Sequence, residues 1–329
     1  MNKGQKKIFI SRIIPDAGIT LLRDAGYVVD IWQEDRPIPQ DLFIQKAKNA
    51  NAIICLSADT IDGNFLHECN HLEIISQFAA GYDNIDISTA TELRIPVGNT
   101  PGAMSNATAD IAFGLMIGVS RKMFYMFKTI ENGSWSFFRP IAHLGMELKN
   151  KTLGIFGLGT IGLEMAKRCK AAYDMNIIYC NRNRNVTAER LLDAHYVSFE
   201  TLLGQSDVLS VHSVLSTQTK GIFNRTAFEK MKPTSIFINT SRGGVHNETD
   251  LIHALKNGTI WGAGLDVTNP EPMHKENPLL QMENVCVLPH IGSATVEART
   301  EMSRMAAENI IQFYTTGSFS NIVNATPLP

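Results

Sequence analysis

Three apolar runs in the last third of the chain each end in residues able to do chemistry. "SIFINTSRGG" delivers Arg242, "GLDVTNPEP" delivers Asp266 and Glu271, and "VCVLPHIGSAT" delivers His290. A guanidinium is permanently charged and binds two oxygens at once, so Arg242 suits holding a carboxylate and polarising the carbonyl beside it. An imidazole exchanges its proton near neutral pH, so His290 suits protonating the alkoxide formed when that carbonyl is reduced. A neighbouring carboxylate, Glu271, would keep the ring protonated before the hydride arrives. Taken singly, these residues also read as a surface arginine, a capping glutamate and a satisfied histidine. Their order and their common placement after apolar strands favour reduction of a 2-keto acid.

A hydride must come from elsewhere, and "GIFGLGTIGLEMAKR" names the source. Gly157, Gly159 and Gly162 form G-x-G-x-x-G directly after a strand-like run and at the opening of a helical one. Gly157 allows the tight turn, Gly159 lets the backbone approach a pyrophosphate, and Gly162 lets helix and strand pack closely. The exposed N–H groups of Thr160 and Ile161 would then meet phosphate charge. The next strand, "NIIYCNRNRN", ends in Asn181, Arg182, Asn183 and Arg184 where an acidic residue usually accepts from the adenosine ribose. A neutral amide followed by cations suits a 2′-phosphate, so NADP(H) is expected over NAD(H), with NAD(H) as the alternative.

The elements that must position these groups alternate along the chain. Before residue 102, "KKIFISR", "YVVDIW", "NAIICLS", "LEIISQFAAG" and "IPVGNTPG" read as strands with helical segments between them. Continuous apolar runs of this kind suit a parallel sheet covered on both faces. "AMSNATADIAFGLMIGVSRKMFYMFKTIENG" then predicts one long helix, with Ser105 or Asn106 as its N-cap. A second series follows from "KTLGIFGLGTIG" to "VCVLPH", with six strand-like runs, and "TVEARTEMSRMAAENIIQFYTTG" closes the chain as a further long helix. The pattern predicts an α/β protein with two doubly wound parallel sheets. In open sheets of this kind ligands sit beyond the carboxyl ends of the strands, where the catalytic candidates fall.

Bulk properties exclude other classes. The 329 residues suffice for two domains, and the net charge of −2 offers no broad basic field for nucleic acid or an anionic membrane. No run approaches the roughly 18–20 apolar residues of a membrane span, and the basic N-terminus reads as a first strand rather than a signal peptide. Five scattered cysteines without a CxxC predict free thiols in a reducing, cytoplasmic setting, with no disulfide framework and no metal site.

Over essentially its whole length the chain resembles the D-isomer-specific 2-hydroxyacid dehydrogenases, and within them the glyoxylate/hydroxypyruvate reductases. "GLGTIG", "FINTSRGG", "GAGLDVTNPEP" and "LPHIGSAT" stand in that family's order and approximate spacing. The resemblance implies a flavodoxin-like substrate domain from 1–102 and 291–329, a Rossmann cofactor domain from 103–290, and a cleft between them. It implies that Arg242 binds substrate, that His290 paired with Glu271 is the acid/base, and that the Ala80-Gly81 backbone holds the substrate carboxylate beside Leu56 and Ser57. Thr108, Ser213, Thr240, Arg242, Asp266 and Gly292 would lie against the cofactor. It also implies a homodimer. Two departures stand out. Thr160 replaces an arginine often found in the glycine turn, and Phe138 stands at the second aromatic place of a "GGWxxW"-like run that keeps Trp135. A sugar-acid reductase acting on 2-ketogluconate would carry the same motifs. A dinucleotide-sensing, corepressor-like binding protein is the reading from a different class, and the complete Arg242/Glu271/His290 set argues against it.

Overall fold

A computed structural model describes residues 5–324 of the chain. The basic start of the first strand-like segment (1–4) and the end of the expected substrate domain (325–329) lie outside these residues. The chain forms two compact units, Met1–Met104 with Ala294–Pro329, and Ser105–Ser293.

The first unit is built on a five-stranded parallel sheet: β1 (Lys7–Ile10), β2 (Val28–Ile31), β3 (Ala52–Cys55), β4 (Ile74–Gln77) and β5 (Val97–Gly98), in the order β2-β1-β3-β4-β5. This is the flavodoxin-like order, with its switch point between β1 and β3. β3 and β4 are buried along their whole length, which is why both read as unbroken apolar runs. Helices α1 (Asp16–Asp24), α2 (Gln40–Ala47), α3 (Gly63–Glu68) and α4 (Ile87–Glu92) connect the strands. Asp62 and Asp86 cap the last two by accepting from Phe65 and Thr89 N–H. Phe9, Phe43 and Phe65 fill one side of the sheet, with ring centroids 4.7 Å apart for the second pair. Each such buried ring contributes about 1.5–3 kcal/mol.

The second unit holds a seven-stranded parallel sheet: β6 (Thr152–Phe156), β7 (Asn176–Cys180), β8 (His195–Tyr196), β9 (Val208–Val211), β10 (Ile236–Asn239), β11 (Gly262–Leu265) and β12 (Val285–Val287). Their order, β12-β11-β10-β9-β6-β7-β8, reverses between β6 and β9 as in a Rossmann domain. Six of these strands are legible in the sequence. β8 is not, because it is two residues long and exposed, so no apolar run marks it.

The segment expected as one helix over 103–130 is two, α5 (Ser105–Ser120) and α6 (Met123–Glu131). Lys122 takes a left-handed φ of 54° at the break. The Ser120 carbonyl accepts from Met146 N–H at 2.9 Å, and Lys122 Nζ reaches Glu283 Oε1 at 2.8 Å. These partners lie far along the chain, so helical periodicity carries no trace of them. Neither Ser105 nor Asn106 caps α5. The helix begins at Ser105, whose Oγ is buried without a partner, and Asn106 Oδ1 accepts from Arg168 at 3.3 Å.

Helices α7 (Thr160–Tyr173), α8 (Val186–Leu192), α9 (Phe199–Gln205), α10 (Arg225–Glu229) and α11 (Glu248–Lys256) complete the second unit. The last helix, α12 (Val296–Thr316), returns to the first and packs on α1. A Cβ on Gly18 would fall 2.1 Å from the Ser303 carbonyl oxygen, so glycine is what permits this contact. Among the described residues no helix is long and apolar enough to cross a membrane.

Candidate active site

The glycine turn leaves β6 at Gly157, whose φ of 101° lies where side chains are disfavoured. A Cβ there would sit 2.7 Å from Ser213 N, on the strand end across the switch point. A Cβ on Gly162 would sit 2.6 Å from the Gly157 carbonyl oxygen, so both positions demand glycine for packing. A Cβ on Gly159 would meet nothing within 4 Å among the described residues apart from its chain neighbours, and the turn is open to a ligand on that side. α7 starts directly after it, so its first N–H groups, including those of Thr160 and Ile161, lack intrahelical acceptors and carry the positive end of the helix dipole. Ser213 Oγ is buried and has no partner among the described residues. An open glycine, free helical N–H groups and an orphaned hydroxyl together fit the pyrophosphate of a dinucleotide.

At the end of β7 the side chains divide their roles. Asn181 does not simply leave space. Its Oδ1 accepts from Leu158 N–H at 2.6 Å and its Nδ2 donates to Leu158 O at 3.3 Å, locking the glycine turn to β7. Asn185 donates to the same carbonyl at 3.0 Å. Arg184 forms a two-point ion pair with Glu189, at 3.0 and 2.7 Å, and Glu189 also accepts from the Tyr179 hydroxyl. Arg182 and Asn183 are exposed.

The catalytic candidates cluster along the same carboxyl edge. His290 Nδ1 lies 3.0 Å from Glu271 Oε2, and Glu271 Oε1 accepts from Thr268 N–H at 2.9 Å. Burial alone would push the Glu271 carboxyl up, but the His290 hydrogen bond, the Thr268 N–H and the nearby charges of His290 and Arg242 outweigh it and hold Glu271 below the usual carboxylate range. His290 adopts a left-handed φ of 54°, a conformation that costs a non-glycine residue about 1 kcal/mol or more. Asp266 holds it there: one oxygen accepts from Ile291 N–H at 2.8 Å and the other from Gly292 N–H at 2.7 Å. Thr108 Oγ1 donates to Gly292 O at 3.1 Å from α5. Asp266, Thr108 and Gly292 thus form a brace behind the histidine turn. Asp266 is buried, which raises its carboxyl despite the two N–H groups that oppose the shift. Thr240 Oγ1 lies 3.4 Å from His212 Nδ1 beneath the turn after β10.

A profile described as "D-isomer specific 2-hydroxyacid dehydrogenase, NAD binding domain" matches residues 113–292. The glyoxylate reductase of Thermococcus litoralis is 42% identical over 322 residues, 97% of this chain and 96% of that one. The chain belongs to the D-isomer specific 2-hydroxyacid dehydrogenase family. A probable 2-ketogluconate reductase of Dictyostelium discoideum is 38% identical and covers 99% of this chain and 97% of its own. Among solved structures, an NADPH-dependent glyoxylate/hydroxypyruvate reductase from Sinorhizobium meliloti, in complex with NADP and malonate, superposes with a TM-score of 0.85 at 29% identity, covering 99% of this chain and 98% of that one. As a member of this family the protein is an NAD(P)-dependent oxidoreductase, with two parallel-sheet α/β domains.

In the first unit of this dehydrogenase, Leu56 and Ser57 follow β3, and Ala80 and Gly81 lie just beyond β4. The two turns are joined by side chains that carry no sequence signature. Asp59 Oδ2 accepts from Leu56 N–H at 2.7 Å and from the Ser11 hydroxyl across the switch point. Asn84 Nδ2 donates to Leu56 O at 3.1 Å. A surface depression of about 400 Å³ opens beside Ser57, lined by Asp59, Asp62, Asp83 and Asp86. In the second unit, buried Asn239 accepts from Ser241 N–H and donates to Arg242 O at 2.9 Å and toward His246 Nδ1 at 3.0 Å. Burial pushes His246 and His212 down to about 4, so both are neutral and act as fixed hydrogen-bonding groups. Asn239 and His246 sit among ordinary polar residues in the sequence, and only their contacts mark them as supports of the Arg242 turn.

Proposed function

We propose that the protein reduces a small 2-keto acid, glyoxylate or hydroxypyruvate, to the D-2-hydroxy acid with NADPH. The observation that carries this reading is the His290–Glu271 pair at 3.0 Å, with the charge of Arg242 acting on Glu271, in the same unit as a dinucleotide turn. The bound dinucleotide would supply the hydride. Arg242 holds the keto acid and polarises its carbonyl, and the backbone of Ala80 and Gly81, with Leu56 and Ser57, holds the carboxylate. His290 gives its ring proton to the new alkoxide oxygen, and Glu271 stabilises the charged ring beforehand. Thr108, Thr240, Ser213, Asp266 and Gly292 face the nicotinamide half or brace the groups that do.

NADPH is favoured because the β7 end carries no acidic residue and offers the exposed Arg182, which makes no ion pair among the described residues, unlike Arg184. The NADPH-dependent Sinorhizobium neighbour supports the same choice. Reduction of 2-ketogluconate is the second reading, and the Dictyostelium relative favours it. A homodimer accounts for the apolar surface after α6, where Trp135, Phe138 and Ile141 are 65%, 83% and 88% exposed. The five free cysteines suit a reducing cytoplasm.

Steady-state kinetics on glyoxylate, hydroxypyruvate and 2-ketogluconate, each with NADPH and NADH, tests these assignments. Turnover of either small acid with NADPH supports the first reading. Turnover of 2-ketogluconate alone replaces it with the second.

A further inference from the structure

Leu56, Ala80 and Gly81 have no side chain that recognises an anion. What their turns offer is backbone N–H, and its direction is the issue. In a trans peptide the C=O and N–H groups point in opposite directions. Holding the carbonyls of Leu56, Ala80 and Gly81 on one side therefore presents the N–H groups of Ser57, Gly81 and Tyr82 on the other. None of these three N–H groups meets a protein acceptor among the described residues.

The carbonyls are held by side-chain amides, and Leu56 O also by the Asp59 N–H at 3.0 Å. Asn84 Nδ2 donates to Leu56 O at 3.1 Å and to Asp59 O at 2.9 Å. Gln77 Nε2 donates to Gly81 O at 3.2 Å and to Asn84 Oδ1 at 2.9 Å. Gln77 Oε1 accepts from Cys55 Sγ at 3.0 Å, and Gln77 is fully buried. Asn99 Nδ2 holds Ala80 O at 2.7 Å. Both hydrogens of each NH2 group in Asn84 and Gln77 are engaged, as is each amide oxygen. Turning Asn84 over would set its oxygen against the Leu56 and Asp59 carbonyls, and turning Gln77 over would set its oxygen against Gly81 O and Asn84 Oδ1. The two turns follow different strands, and the Asn84–Gln77 pair joins them beside two backbone bonds, Ile61 N–H to Asn84 O at 3.0 Å and Asp86 N–H to Ile61 O at 2.8 Å.

We propose that Asn84, backed by Gln77, is a positioning residue that aims the N–H groups of Ser57, Gly81 and Tyr82 at the substrate carboxylate. This rests on the reading that these turns bind a 2-keto acid. A carboxylate gripped by backbone needs donors facing it. A peptide that turns over presents a carbonyl oxygen instead, which repels the anion.

The test uses the full chain with NADP(H) bound. Asn84→Asp keeps the shape but sets an oxygen against the Leu56 and Asp59 carbonyls. Asn84→Ala lets water replace the amide and serves if the aspartate variant does not fold. The readouts are kcat and KM for glyoxylate, KM for NADPH, and the Kd of oxalate, a carboxylate that cannot be reduced, measured by calorimetry. The expected result is a rise of at least tenfold in KM for glyoxylate and in Kd for oxalate, with kcat lowered less than threefold and KM for NADPH within twofold. Glyoxylate KM and oxalate Kd within twofold of the parent in both variants would overturn the proposal, as would a parallel rise in KM for NADPH, which marks general loosening. Weaker oxalate binding in variants of a parent that turns over no keto acid would leave the positioning role standing and remove the reductase reading. A parent that neither binds oxalate nor turns over glyoxylate removes both.

Discussion

The carboxyl edges of the two sheets solve a similar problem with different materials. At each, a leucine one or two residues past a strand is clamped by its peptide. Leu56 is held by Asp59 on its N–H and Asn84 on its carbonyl, and Leu158 by Asn181 on both groups with Asn185 on the carbonyl. Beyond the clamps the edges diverge. At the five-stranded sheet the unsatisfied donors beside Leu56, Ala80 and Gly81 are backbone N–H groups, whereas the seven-stranded sheet carries Arg242, Glu271 and His290. A fixed backbone suffices to recognise a carboxylate, because an N–H donates without ionising. Delivering a proton requires a group that gains and loses one near working pH, and no peptide does so. The comparison teaches that substitutions on the second edge should remove chemistry, while those on the first should remove aim.

The largest effect is expected at His290. His290→Ala should lower kcat for keto acid reduction by about 10²–10⁴-fold while NADPH still binds, as fluorescence titration would show. A variant with unchanged turnover would erase the contrast between the edges. Arg242→Ala should follow, losing about 10²–10³-fold in kcat/KM through both parameters, since its contacts strengthen as charge develops on oxygen. Next is the brace. Asp266→Ala removes the acceptor of two N–H groups, each worth about 1–3 kcal/mol when left buried and unpaired. Calorimetry should show a lowered Tm, and kcat should fall while KM for NADPH holds within a few-fold.

Cofactor choice sharpens the comparison within the second edge. Arg182→Ala should lower the NADPH-to-NADH ratio of kcat/KM by roughly tenfold, the scale of a charged hydrogen bond. Arg184→Ala should change it far less, because that guanidinium is already held by Glu189. An equal response from both would mean that the Glu189 pair opens for the ligand. The double change Asn181→Asp with Arg182→Ala should favour NADH further.

A separate effect, on stability rather than on catalysis, concerns acid. His212 and His246 sit at about 4 in the fold and near 6.5 when unfolded, so the unfolded chain binds more protons between those values. Their contribution is complete above about pH 6.5 and is lost as pH falls toward 4. Denaturant midpoints should decline over that window, and His246→Leu should flatten the decline. A slope unchanged by the substitution would show that other groups dominate it.

Much of the second edge was legible before any fold was known. Glycines at spacings of two and three, an arginine after an apolar strand and a Pro-His-Ile-Gly turn announce themselves by residue type. Parallel strands buried on both faces also leave runs that any reader of the chain can mark. The failures are of another kind. α5 and α6 separate because Met146 and Glu283 draw on Ser120 and Lys122, and β8 is too short and exposed to leave a run. Asn181 reads in the sequence as a neutral amide suited to a 2′-phosphate, and only its contact with Leu158 reveals that it also holds the glycine turn.

By itself, then, the sequence determined the class of fold, the dinucleotide turn and the identity of the ionisable groups, because these depend on periodicity and on side-chain chemistry at short range. Tertiary structure alone decided which neutral amides matter. Asn84 and Asn99 reach backbone carbonyls of other turns brought close by sheet topology, while Gln77 and Asn239 hold the turns that follow their own strands. An amide has the same composition whether it faces solvent or aims a peptide, and only the fold supplies the partner that tells the two apart.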